Sequence, residues 1–197
     1  QYFSGDHHRE EAYSHHEAKR FSEALIHEYY SSYRLDARVV RLGHLYGPRM
    51  NLAAGNEIAR LIRAGVDNQP LVVVGQGMKI LYPTYITDLI YGLTKAMFSQ
   101  SSAGQIFTLI NPQKSTVLNF ANNLKKALKN EDLEIEFSPE AAELEPLALS
   151  KAVIDSQENL GWQPKVGPEQ GLAKTLAWLK AGKTTQPRQS QKIKAET

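Results

Sequence analysis

Short apolar runs alternate along this chain of 197 residues with longer stretches whose apolar residues recur every three or four positions. The runs are Ala37 to Leu42, Leu71 to Val74, Gln105 to Ile110 and Leu133 to Phe137, and their β-branched, alternating character predicts strands. Between them the period is helical. Ala18, Phe21, Leu25, Tyr29 and Tyr33 lie on one face of a predicted helix from Glu11 to Tyr33, with charge on the other face. Further helices are expected over Asn56 to Ala64 (closed by Gly65), from Thr87 as N-cap to Phe98, and over Thr116 to Lys129. Ser150 is expected to cap a helix ending at Gly161, and Pro168 to open a last one to Ala181. Two periods that alternate in this way predict an α/β fold.

Composition narrows the class. At 42% hydrophobic and 22% charged the chain is ordinary globular material, enough for one core and a small subdomain, with no internal repeat or linker. The absence of cysteine excludes disulfides and thiolate chemistry and agrees with a cytoplasmic protein. A net charge of +2 gives no basic footprint for nucleic acid. No apolar run approaches the roughly 20 residues of a membrane span. Residues 183–197 carry Lys183, Arg188, Lys192 and Lys194 against Glu196 with almost nothing apolar, and are expected to form a disordered tail behind a domain over 1–182.

Two segments carry the chemistry. The first is His15-His16-Glu17-Ala18-Lys19, and the second is Arg41-Leu42-Gly43-His44-Leu45-Tyr46-Gly47-Pro48-Arg49-Met50. Downstream come Gly75-Gln76-Gly77 with Tyr85-Ile86-Thr87-Asp88, then Leu149-Ser150-Lys151-Ala152, Leu160-Gly161-Trp162-Gln163-Pro164 and Gly171-Leu172. In this order the chain resembles the extended short-chain dehydrogenases/reductases, the NAD-dependent epimerases, dehydratases and decarboxylases of nucleotide sugars. It looks most like the UDP-glucuronate decarboxylase branch. The resemblance implies a Rossmann-type doubly wound sheet, represented by its last elements, plus a small α/β substrate-binding lobe. Its glycine-rich pyrophosphate motif does not occur in this sequence, which implies that about half of the Rossmann domain lies upstream of Gln1 and that these 197 residues alone do not turn over substrate.

The resemblance also assigns roles. It implies NAD as cofactor, a UDP-sugar as substrate, and a homodimer built on a helix bundle that includes the Glu11 to Tyr33 helix. Tyr-x-x-x-Lys places two side chains one turn apart on one helix face, so that the lysine holds the nicotinamide ribose and lowers the tyrosine pKa. Lys19 keeps its place. The tyrosine position is His15, a neutral imidazole able to accept a proton, and Tyr13, six residues before Lys19, is the fallback base. Leu42 and Gly43 at the strand end are implied on the cofactor side, and His44 and Arg49 on the sugar-nucleotide side. His44 stands where the family has asparagine. The diphosphate-binding arginine is replaced by Leu81, with Lys79 on the opposite strand face. A second substrate arginine falls near Glu145 or Pro146, and the aspartate before Ser150 falls at Ala148.

Scaffold positions match and ligand positions change, so two further readings stand beside the enzyme. One is a non-catalytic member that keeps the fold for binding or assembly. The other is a divergent enzyme whose substrate is not a nucleotide sugar. His7, His8, His15 and His16 with Glu10 and Glu11 match no defined metal spacing. Tyr29, Tyr30, Tyr33 and Tyr46, without a basic stripe, read as packing residues.

Overall fold

The computed structural model describes residues 13–100, 102–139 and 151–182, with only the backbone at Tyr13 and His15. Ser150, Glu145, Pro146, Ala148, the histidines at 7 and 8, and residues 183–197 lie outside them. In chain order the elements are α1 (Tyr13–Tyr33), β1 (Val39–Leu42), β2 (His44–Tyr46), α2 (Glu57–Val66), β3 (Leu71–Val74), β4 (Ile80–Leu81) and β5 (Pro83–Tyr85). They continue with α3 (Ile86–Phe98), β6 (Ile106–Leu109), β7 (Ser115–Thr116), α4 (Val117–Leu128), β8 (Ile135–Ser138), α5 (Lys151–Leu160) and α6 (Pro168–Gly182). The helices and strands expected from the sequence are present, and the boundaries move for identifiable reasons.

Asn56 stands outside α2 as its N-cap, its Oδ1 accepting from the amide of Ala59 at 2.9 Å. Gly65 does not close this helix. It lies inside it, where a Cβ would meet Leu128 Cδ1 at 2.8 Å, so the glycine serves the packing of α4 on α2. Thr116 caps α4 by accepting from the amide of Asn119 at 3.0 Å. Thr87 is not the cap of α3. Strand β5 runs straight into the helix, Tyr85 takes the extended cap conformation without a side-chain capping bond, and Thr87 falls inside the first turn.

The described residues divide into two compact units, each assembled from three stretches of chain. The first draws on 1–44, 82–114 and 147–165. Here β1 pairs parallel with β6, Val39 opposite Ile106 through Leu42 opposite Leu109. Phe107 and Leu109 are buried with Leu89, Ala96, Val153 and Trp162. Gly92 of α3 admits them closely, because a Cβ there would stand 2.7 Å from Leu109 and 2.9 Å from the Trp162 indole nitrogen. Helix α5 is bound to β6 through Ser156, whose Oγ accepts from the Thr108 amide at 2.8 Å.

The second unit draws on 45–81, 115–146 and 166–197. Strand β3 pairs parallel with β8, Leu71 opposite Ile135, and β4 pairs antiparallel with β7, Leu81 opposite Ser115. Ile58, Leu61 and Ile62 of α2, Phe120, Ala121 and Leu124 of α4, and Leu172 and Leu176 of α6 make its core. Tyr46 is buried there, edge-on to Phe120 with ring centroids 6.0 Å apart. The turn at Gly75 and Gly77 takes positive φ at both glycines (58° and 70°).

Helix α1 departs from expectation in its orientation. Its apolar stripe faces outward among the described residues, with Phe21 69% and Tyr33 75% exposed, and Leu25 and Tyr29 also exposed. Of the four tyrosines expected to pack, Tyr46 is core and Tyr30 packs on Gly104, whereas Tyr29 and Tyr33 are exposed and lie against each other, ring centroids 5.5 Å apart. Contact with the unit is made from another face, through the half-buried Glu23, Ile26 and Tyr30.

Candidate functional site

Two contacts fix how α1 lies against β1. The Tyr30 ring covers Gly104, which precedes β6, and the Glu23 carboxylate receives both Arg41 nitrogens, Nε at 2.8 Å and Nη2 at 2.5 Å. In the β1/β6 register Gly104 is level with the amino end of β1, and Arg41 stands near its carboxyl end. The helix therefore runs antiparallel to the strand. Four residues of helix advance about 6 Å, and a strand residue spans about 3.3 Å. Lys19, one turn before Glu23 on the same face, is thus level with the residues just after Arg41, namely Leu42, Gly43 and His44. The backbone of His15 lies one turn further, past the strand end. Tyr13 is displaced around the helix by about 120° from Lys19.

Ideal helix and strand rises thus put Lys19 toward the end of the first unit where β1 gives way to Gly43 and His44, the kind of strand terminus at which open α/β sheets bind ligands. Lys19 is exposed and has no carboxylate partner among the described residues. The Arg41 guanidinium holds the Glu23 carboxyl below the usual carboxylate range, first by hydrogen bonding and then by charge, against the opposing effect of burial. Leu42 is exposed, and Gly43 leaves no room for a side chain because a Cβ would meet Ile110 Cγ1 at 3.0 Å. His44 is exposed, and its Nδ1 accepts from the Tyr82 amide at 3.3 Å, which assigns the ring proton of the neutral form to Nε2.

Arg49 and Leu81 belong to the second unit. Arg49 is exposed and occupies a left-handed conformation, φ 66°, in a turn closed by the Met50 amide on the Gly47 carbonyl at 3.3 Å. Leu81 is 1% exposed, a core residue. Lys79 reaches Glu57 Oε2 at 3.1 Å, and Arg60 approaches the other oxygen at 3.6 Å. Glu57 was not legible as a site residue, because nothing in its sequence context announces two cations converging on it. The same holds for Glu23, whose partner lies in the next element. Among the described residues no group of three or more histidines, aspartates or glutamates is placed to hold a metal ion. No described helix is long and apolar enough to cross a membrane.

The sequence profile of the NAD-dependent epimerase/dehydratase family matches residues 4–109, more than half of the chain. The chain belongs to this family. UDP-glucuronic acid decarboxylase 1 of Danio rerio is 30% identical over 163 residues, covering 83% of this chain and 38% of that protein. UDP-glucuronic acid decarboxylase 4 of Arabidopsis thaliana is 30% identical over 156 residues, covering 79% and 34%. The chain thus spans well under half the length of these relatives. Among solved structures, UDP-glucose 4-epimerase from Thermotoga maritima superposes with a TM-score of 0.74 at 22% identity, covering 83% of this chain and 52% of that one. The dTDP-glucose 4,6-dehydratase from Bacillus anthracis, solved in complex with NAD, gives 0.72 at 18% identity, covering 85% and 52%. At these identities the superpositions establish the fold, the Rossmann-type α/β architecture of the epimerases and dehydratases.

Proposed function

We propose that this chain is part of an NAD-dependent enzyme acting on a nucleotide sugar, a decarboxylase of UDP-glucuronate or a near relative, that oxidises a sugar carbon and later returns the hydride. The observation carrying this reading is the Glu23 to Arg41 contact, whose spacing sets Lys19 level with Leu42, Gly43 and His44 at the end of β1. NAD, when bound, supplies the hydride acceptor. The residues present fit it in one respect: the exposed Lys19 ammonium suits ribose hydroxyls, and its charge lowers the pKa of a base on the same helix face. His15 holds the base position one turn earlier and Tyr13 is the fallback. By resemblance His44 of the first unit and Arg49 of the second are each assigned to the sugar-nucleotide side. The outward stripe of Phe21, Leu25, Tyr29 and Tyr33 suits packing against a second copy in a homodimer.

The test uses the full gene product with NAD and UDP-glucuronate, following release of carbon dioxide and a UDP-pentose. Lys19→Ala is expected to lower kcat by about 100-fold or more. Turnover that persists in His15→Phe moves the base role to Tyr13. No NAD-dependent change in any UDP-sugar overturns the reading in favour of a non-catalytic member. A second reading, a substrate without a nucleotide diphosphate, is favoured by Leu81, buried where the family resemblance implies an arginine, and by Lys79 being committed to Glu57.

A further inference from the structure

In the first unit, α3 and the carboxyl end of α5 with the loop after it enclose a cavity of about 380 Å³. That volume falls within the roughly 300–1,000 Å³ of small-molecule sites, but such sites are mostly apolar and this one is not. Tyr91 and Ile154 are its apolar side chains; Gln157, Glu158, Gln163 and Lys165 supply the rest.

The walls are tied down from behind. Lys95 Nζ donates to the carbonyls of Leu160 at 3.1 Å and Gly161 at 2.6 Å, which fixes the end of α5 against α3. The Lys165 amide donates to the Asp88 carboxylate at 3.0 Å, and Gln157 Nε2 donates to the Ile110 carbonyl at 3.3 Å. The groups that remain are unspent. Gln157 Oε1, the Glu158 carboxylate, the Gln163 amide and the Lys165 ammonium have no hydrogen-bond or ion-pair partner among the described residues. Glu158 and Lys165 line one cavity with opposite charges and do not pair, whereas Lys151 and Asp155, also on α5, pair at 3.0 Å.

Charge sets the sign of what fits between them. Two ammoniums converge on the Tyr91 ring, Lys95 Nζ 5.2 Å and Lys165 Nζ 6.0 Å from its centroid, so a further cation there is repelled and an anion is attracted. At the Glu158 end the carboxylate and amide oxygens accept from hydroxyls. We infer that this cavity is a binding site for an anionic monosaccharide, a sugar acid or sugar phosphate. Lys165 meets the anionic group, Glu158, Gln157 and Gln163 meet the ring hydroxyls, and Tyr91 and Ile154 lie against its C–H groups. The cavity shares no residue with the strand end that carries Lys19, so the inference is independent of the reaction proposed there.

The test is calorimetric titration of the full gene product with glucose 1-phosphate, free glucuronate, neutral glucose and inorganic phosphate, repeated in Lys165→Gln, Lys165→Arg and Tyr91→Ala. The two anionic sugars are expected to bind more tightly than glucose or phosphate, and saturating UDP is expected not to displace them. Lys165→Gln and Tyr91→Ala should each weaken their binding by about 10-fold or more, while Lys165→Arg keeps most of it. Both side chains are exposed, so the variants should melt with wild type. A preference for glucose 1-phosphate or for glucuronate supports the site and names its anion. Three results each overturn the inference and leave the functional reading standing: neither anionic sugar binds, binding is unchanged in Lys165→Gln or Tyr91→Ala, or inorganic phosphate binds as tightly as glucose 1-phosphate.

Discussion

Trp162 donates its indole Nε1–H to the main-chain carbonyl of Asp88 across 2.8 Å, and the carboxylate of the same aspartate accepts from the Lys165 amide at 3.0 Å. Two residues 74 positions apart in sequence thereby fix where the loop after α5 lies on the first turn of α3. Trp162→Phe removes the donor and some buried volume, and should lower unfolding free energy by about 1–3 kcal/mol. Asp88→Asn keeps an acceptor for Lys165 and should cost less than Asp88→Ala. Urea titrations followed by circular dichroism give both comparisons.

The Glu23 carboxyl titrates below its usual range because Arg41 hydrogen-bonds to its charged form. A depressed native pKa means that the unfolded chain takes up the proton first as pH falls. The stabilisation is therefore complete above the ordinary glutamate pKa and is lost on acidification through the lower native value. Arg41 is 52% exposed, so screening holds the contribution within ~1 kcal/mol. Glu23→Gln should lower the melting temperature in the neutral region, by no more than ~1 kcal/mol of stability, and the deficit should shrink as pH falls between about 5 and 3, so that the acid limb is flatter. A variant profile parallel to wild type throughout would contradict this.

Leu81→Arg writes the residue implied by family resemblance back into this chain. Its side chain would enter a core position 1% exposed, on the strand pair formed with Ser115. The expected result is destabilisation by about 3 kcal/mol or more, with no gain in UDP affinity, because a buried cation lacking a partner is strongly penalised. Denaturation midpoints and a UDP titration on the same variant would show it; tighter UDP binding at unchanged stability would refute it.

Gly77 and Gly55 both have positive φ, 70° and 73°, but in different surroundings. A Cβ on Gly77 would stand 2.6 Å from Val73 Cγ1 and 2.9 Å from Leu118 Cβ, whereas one on Gly55 meets nothing within 4 Å. Gly55→Ala should cost only the left-handed penalty, about 1 kcal/mol. Gly77→Ala adds overpacking of about 1–3 kcal/mol. Equal losses would mean that the contacts around Gly77 yield freely.

The α/β class and the order of helices and strands were legible because each depends on residues close in sequence; Asn56 and Thr116 were read as the first helical residues, one position inside the ends that they cap. Gly65 was misread as a stop: sequence shows a glycine at a helix end, while its purpose lies in Leu124 and Leu128 some 60 residues on. Thr87 has the chemistry of a cap, but β5 leads into α3 without a loop, so the position was already taken. The stripe on α1 was visible as a stripe and its outward direction was not, since periodicity says which residues share a face and nothing of what that face meets. At the candidate site, Lys19 and the strand end were legible as a spacing. The ion pair that aligns them, and the burial of Leu81, depend on long-range packing.

Because each unit is assembled from three separated stretches, synthesis order matters to this protein. Val39 waits for Ile106 and Leu71 for Ile135, and α5 and α6 complete the two cores only after β8 has been made. Such pairings are slow to find and leave strand edges and apolar faces open while translation continues. The nascent chain should depend on holding chaperones until α6 has emerged, and premature termination before α5 should yield aggregates rather than a smaller folded piece.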